Sequence, residues 1–179
     1  MSGKSYLNDY DDFYQKVRRG EVWFPDFSKY EPSPVINFLL SGHAHKGHTF
    51  LTILEEVDDL WLENTHDYIQ WIYPLDEPSK SLRHAPVLTE QDIEFIHFNR
   101  DGMIILSALN GRMQRFWENN QHWVTGYNHN HLRITRAIKS LRLTLGDQHA
   151  EEFKEWLYRT LGKEISKISE NSQQFWKRA

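Results

Sequence analysis

Apolar positions recur along most of the chain with the period of an α-helix rather than that of a strand. The densest run is Leu62-Glu63-Asn64-Thr65-His66-Asp67-Tyr68-Ile69-Gln70-Trp71-Ile72-Tyr73-Pro74-Leu75. Projected at roughly 100° per residue, Trp61, Leu62, Thr65, Tyr68, Ile69 and Ile72 share a broad apolar arc. Glu63, His66, Asp67 and Gln70 fall opposite, at i, i+3, i+4 and i+7. The spacing predicts one amphipathic helix. Pro74 stops it, having no N–H and disfavouring helical geometry in the residue before it.

The same reading extends in both directions. A first helix is expected from Asn8 or Asp9 to Gly20, with Phe13, Tyr14 and Val17 on its apolar side. An aromatic-rich loop runs from Trp23 to Pro34. A short helix follows through Ile36, Leu39 and Leu40, then a polar turn from Gly42 to His48. Thr49 to Val57 reads as a short helix, with a strand allowed on propensity alone. Residues 75–88 form a long surface connection. Thr89-Glu90-Gln91-Asp92 has the form of a capping box and opens a helix through Ile93, Ile96 and Phe98. Asp101-Gly102 is read as a break before a helix carrying Ile105, Leu109, Met113 and Phe116. A turn-rich joint follows from Asn119 to Tyr127, with Trp123 buried. Asn130 is read as the N-cap of a helix from Leu132 to Leu145, whose stripe is Ile134, Ala137, Ile138, Leu141 and Leu145. Gly146 closes it, Asp147 caps the next helix, Gly162 closes that one, and a last helix carries Ile165, Ile168, Phe175 and Trp176. The expectation is a single all-α domain over residues 1–179, of about seven or eight helices with antiparallel neighbours.

Composition adds limits. The 179 residues suffice for one core, and 14% aromatic content places rings at its centre. A mean hydropathy of -0.69 fits a soluble chain. A net charge of -4 argues against a broad nucleic-acid surface. With no cysteine there is neither disulfide nor thiolate chemistry. No apolar run reaches membrane-spanning length, and the N-terminus lacks the apolar core of a secretion signal, so a cytoplasmic location is the default.

Three constellations carry candidate chemistry. Glu63, His66, Asp67 and Gln70 would be neighbours on one helix face, suited to a cation, a peptide amine or a polar ligand, or simply solvated. His43, His45 and His48 offer metal-ligand atoms, but H-x-H-x-x-H on a glycine-containing loop lacks the helical i, i+4 spacing of zinc motifs; no metal is assigned, and surface histidines are the plainer reading. Asn128-His129-Asn130-His131, followed by Arg133, Arg136 and Lys139, places cations just inside a helix start. Those residues could hold a phosphate or carboxylate, or form a solvated basic face. No P-loop, nucleophile elbow, G-x-G-x-x-G or H-E-x-x-H is present. No cofactor is implied.

The run Leu62-Glu63, His66, Tyr68-Ile69-Gln70-Trp71, Pro74-Leu75 resembles the conserved domain of the opioid growth factor receptor family. That family's pattern is Leu-Glu, His, then Tyr-Ile-Gln-Trp-Leu-Phe-Pro. Glu77, Ala85, Leu88 and Glu90 follow approximately in place. Leu132-Arg133-Ile134-Thr135-Arg136 and Ile138-Lys139-Ser140-Leu141 are similar to its Leu-Arg-Ile-Thr-Arg-Ile-Leu-Lys-Ser-Leu. The blocks lie within residues 60–145. Ile72, Tyr73 and Ala137 depart from the pattern. The animal receptors carry long repeat-rich tails that this chain lacks, so it resembles short, stand-alone relatives of bacterial type. In animals the resemblance implies binding of the peptide Met-enkephalin and growth regulation at the nucleus.

The resemblance covers Glu63, His66, Gln70, Arg133 and Arg136, and the two faces have complementary charge. They are expected to meet, either as a Glu63–Arg133 or Glu63–Arg136 bridge or as the lining of one pocket. The function expected is a non-enzymatic module binding a peptide or small zwitterion at Glu63, His66, Gln70, Asn130, Arg133 and Arg136, with the carboxylate at Arg and the amine at Glu. The alternatives are a hydrolase with His66 as base, Glu63 as orienter and Arg133 as anion holder, or a helical protein whose exposed aromatics near Trp23 and Trp176 dock a protein partner.

Overall fold

The computed structural model describes Arg19 and residues 26–179. The expected first helix and Trp23 lie outside the described residues. The chain divides into two units, residues 1–31 and 32–179. In the first, Asp26 Oδ1 accepts from Ser28 N at 2.9 Å, and Tyr30 N closes a turn on Phe27 O at 3.1 Å.

The second unit is all-α. Its α-helices are α1 (Pro34–Leu40), α2 (Phe50–Glu55), α3 (Asp59–Asn64), α4 (Ile69–Ile72), α5 (Glu90–Phe98), α6 (Arg100–Asn119), α7 (His129–Leu145), α8 (Asp147–Leu161) and α9 (Glu170–Arg178). Two 3₁₀ segments, Gln121–Trp123 and Gly162–Lys167, join them. Among the described residues there is no β-strand, only isolated bridges at His45–His48 and Leu75–Val87. No helix among them is long and apolar enough to cross a membrane.

Local chemistry accounts for most boundaries. Thr49 and Thr52 form a reciprocal capping box on α2, and Thr89 and Asp92 do the same on α5. Asp92 is fully buried, and its other oxygen accepts from Ser33 N at 3.3 Å, tying α5 to the start of α1. The break expected at Asp101-Gly102 falls earlier. Asn99 is extended, and its side chain accepts from Gly102 N at 2.8 Å, so both residues lie in the first turn of α6.

The expected cap at Asn130 also moves. Asn128 caps α7, and Asn130 turns inward from its first turn. Asp147 is the first residue of α8 rather than its cap, and its carboxylate pairs with Arg142. Gly146 takes that position with φ 94°, a left-handed value that glycine adopts without a Cβ penalty.

α7 and α8 pack along each other, α9 covers α7, and α6 backs α1, α2 and α5. The stripe Ile134, Ala137, Ile138, Leu141 and Leu145 is buried as expected. Trp117, Trp123 and Trp176 are all fully buried. Their indole N–H groups donate to Asn130 Oδ1, Trp117 O and His131 O, so the largest rings enter the core with no polar cost outstanding. Trp176 is therefore a core residue and not the exposed docking aromatic considered from sequence.

Candidate functional site: the two faces of the Thr65–Tyr68 segment

The single helix expected over residues 61–72 is broken. α3 ends at Asn64, Thr65 is extended at ψ 131°, and α4 begins only at Ile69. Tertiary donors explain the break. Carbonyls at a helix end need partners from outside the helix. Here the Tyr68 hydroxyl donates to Leu62 O at 2.9 Å. The Arg133 guanidinium donates to Leu62 O (2.9 Å), Glu63 O (3.2 Å) and Thr65 O (2.8 Å). Arg133 is only 6% exposed. Burial pulls its pKa down from the ordinary arginine value, and the neighbouring Tyr68 and Glu63 work against that shift. Its cation also lies over the Tyr68 ring, 5.7 Å from the centroid.

Arg133 also donates to His66 Nδ1 at 2.8 Å. That nitrogen must then carry no hydrogen, which fixes the tautomer of an exposed imidazole. Asn130 is fully buried and completes the network. Its oxygen accepts from Trp117 Nε1 (3.1 Å) and Arg133 (3.3 Å), and its nitrogen donates to Glu63 Oε2 (3.0 Å) and Asn128 Oδ1 (3.2 Å). The acidic–imidazole residues and the guanidinium downstream of Asn130 do meet.

The contact differs from the bridge expected. Arg133 holds the Glu63 backbone, while the Glu63 carboxylate is shared by Asn130, His122 Nε2 (2.9 Å) and His129 Nε2 (3.3 Å). Burial works to raise the Glu63 pKa, but the Asn130 and His122 hydrogen bonds and the nearby imidazoles outweigh it and leave it below the ordinary value. Burial, reinforced by the charge of Arg133, lowers His129. The base-and-orienter pair of a hydrolase, His66 with Glu63, is replaced by His66 with Arg133.

Gln70 and Arg136 sit elsewhere on the same contact. Gln70 is buried, and the amide orientation that satisfies both its ends donates to His66 O (3.3 Å) and Asp67 O (3.1 Å). Arg136 Nε donates to Tyr73 O at 2.7 Å, and burial pushes its pKa down to about 10. Ser140 Oγ donates to Pro74 O at 2.8 Å, and Lys139 reaches Glu77 at 2.9 Å. The face of α7 read as solvated and basic instead binds residues 62–77, mainly through backbone carbonyls.

The opposite face of the Thr65–Tyr68 segment opens on a cleft of about 230 Å³. Its walls are Phe38, Ile53, Trp61, Tyr68 and Trp71, with Asp67, His45, Lys46 and His48 supplying polar groups. His45 stacks on Trp71 at 4.6 Å and places Nε2 3.3 Å from Asp67. Lys46, whose side chain is 71% exposed, pairs with the same carboxylate. Burial tends to raise the Asp67 pKa, but the bonds from Lys46 and His45 hold it below the ordinary value. Trp71 Nε1 and His48 Nδ1 are buried with no hydrogen-bond partner. Among the described residues no group of three or more His, Asp or Glu side chains is placed to hold a metal ion.

Sequence reasoning placed Asp67 beside Glu63 and His66, and assigned Trp61 and Tyr68 to an apolar arc. It missed the cleft because the broken helix turns Asp67 away from Glu63. The available signal was an acidic residue amid three aromatics, with a histidine-rich loop just upstream.

Comparison with known proteins agrees with the motif blocks. A family model, the opioid growth factor receptor (OGFr) conserved region, matches residues 46–109. The human opioid growth factor receptor is 28% identical over 169 residues, taking in 80% of this chain and 23% of the receptor. The rat receptor is 31% identical over 168 residues, with 80% and 26% covered. Opioid growth factor receptor-like protein 1 of Xenopus tropicalis is 33% identical over 125 residues, with 56% and 23% covered. The chain thus spans about a quarter of the length of these curated relatives. No solved structure matches it.

Proposed function

From the chain's membership of the opioid growth factor receptor conserved-region family we propose that it is a non-enzymatic module that binds a small ligand or peptide. The observation that carries this reading is the aromatic cleft itself, walled by Trp61, Tyr68 and Trp71 and holding the Asp67 carboxylate. The cleft is smaller than the roughly 300–1,000 Å³ of drug-sized sites and has room for one residue-sized group.

In this reading Glu63, His66, Gln70, Asn130 and Arg133 take part in binding by holding the segment that carries Asp67 and Tyr68, and Arg136 anchors its far end. The relatives are named as receptors for an opioid growth factor, which supports a peptide ligand. The whole chain is proposed to act as one such module, with its motifs concentrated in residues 60–145. A cytoplasmic site of action is part of the same proposal.

A thermal-shift screen of purified protein against amino acids, amino-acid amides, short peptides, nucleotides and metal ions tests it. A true ligand at 100 times its dissociation constant adds about 2.7 kcal/mol. That gain should vanish in Trp71→Ala. A panel that leaves the melting temperature unmoved, or a shift that survives intact in Trp71→Ala, overturns the reading.

A further inference from the structure

We propose that residues 42–48 form a hinged strap that closes one side of the cleft, with the Asp67 carboxylate as its catch. The proposal rests on the binding role proposed above and concerns access to that same cleft.

Both ends of the strap are fixed. Ser41 N and His43 N return to Asn37 O at the end of α1 (3.0 and 3.2 Å), and Thr49 belongs to the capping box of α2. Between these ends the chain makes its own hairpin. His45 and His48 exchange two backbone hydrogen bonds of 2.9 Å, and Lys46 and Gly47 between them have φ 49° and 82°, the positive values a two-residue type I′ turn requires. Asn or Asp is the usual first residue of such a turn, and lysine there is unfavourable. Its place is explained by reach, because from it the Lys46 ammonium pairs with Asp67. His45 Nε2 meets the same carboxylate at 3.3 Å. Two ring contacts complete the attachment, His45 stacked on Trp71 at 4.6 Å and His48 tilted against Trp61 at 4.7 Å. The aliphatic content of residues 42–48 is a single exposed Ala44, so little apolar burial holds the strap down. A partly exposed ion pair, two ring contacts and an unfavourable backbone make a closure that opens easily. Opening lifts His45, Lys46 and His48 out of the cleft wall and widens a space of about 230 Å³ that admits one residue-sized group when shut.

Amide hydrogen exchange of the full chain, followed by NMR, tests this without a ligand. The His45 and His48 amides should share one protection factor, because they open together. Asp67→Asn, with circular dichroism confirming its fold, should lower both by roughly three- to fivefold, the worth of a partly exposed ion pair. The Ile53 amide, bonded to Thr49 O at 3.1 Å in the first turn of α2, should stay unchanged. Cleavage at Lys46–Gly47 by a lysine-specific protease should accelerate by the same factor in Asp67→Asn. Thr89→Ala, which weakens a distant cap, should leave that cleavage rate alone. Unequal protection of His45 and His48 overturns a strap that moves as a unit, and unchanged protection in Asp67→Asn overturns the catch. An equal loss at Ile53, or faster cleavage in Thr89→Ala, makes the opening a wider unfolding and overturns the hinge. None of these outcomes bears on whether the cleft binds a ligand, which the thermal-shift screen decides separately.

Discussion

Arg133 is the residue on which the two motif blocks depend. It is a buried cation whose donors go to three backbone carbonyls, the Asn130 side-chain oxygen and one imidazole nitrogen. Arg133→Met keeps much of the apolar stem but leaves Glu63 O and Thr65 O without this donor, while Leu62 O keeps the Tyr68 hydroxyl. It should cost on the order of 3 kcal/mol in a urea titration. Arg133→Lys should recover only part of this, because a point-like ammonium cannot span carbonyls that the planar guanidinium fork reaches together. A loss below about 0.5 kcal/mol, the range of an ordinary surface change, would show that the carbonyls find other partners.

At the scale of elements, two joints set the arrangement of helices. Asp92 caps its own helix and holds the backbone of Ser33, so it fastens α5 to α1. Asp92→Ala should destabilise the fold by about 2–3 kcal/mol, more than the roughly 1 kcal/mol expected of Thr89→Ala, which removes the cap alone. The other joint is Gly146. A Cβ there would meet no atom within 4 Å, so the cost of Gly146→Ala is conformational and not steric. About 1 kcal/mol is expected, read as a lower denaturation midpoint with unchanged slope. A neutral Gly146→Ala would mean that α7 and α8 tolerate a different turn.

The whole molecule should be sensitive to acid. Burial lowers His131, against a hydrogen bond to Trp123 O, and burial with the Arg133 charge lowers His129. In the unfolded chain both titrate near 6.5. Above that pH both states are neutral and stability is full. As pH falls through 6.5 the unfolded chain takes up protons that the folded one refuses, so stability declines. Glu63 and Asp67 act in the same sense further down. Their folded values lie below the ordinary 4.5 and 3.8, so the stability they contribute is lost as pH drops through the folded values. Melting temperature should therefore fall from pH 7.5 to 5.5 and fall again below 4.5. A melting temperature that rises on acidification would reverse the assignment of these imidazoles as neutral in the fold.

The helical class, the stripe of α7, the cap at Thr89 and the family resemblance were all legible in the sequence. Period, capping chemistry and motif order are local properties, carried by residues a few positions apart. The meeting of Glu63 and His66 with Arg133 was legible through charge complementarity between motif blocks, but its form was not. The helical wheel treats residues 61–72 as one rod, and only tertiary donors from α7 and from Tyr68 reveal that its carbonyls are used elsewhere. That break sends Glu63 and Asp67 to different faces, one closed around Asn130 and the other lining a cleft. Hydrogen bonds spanning about 70 positions decide it, and no window of neighbouring residues contains both partners.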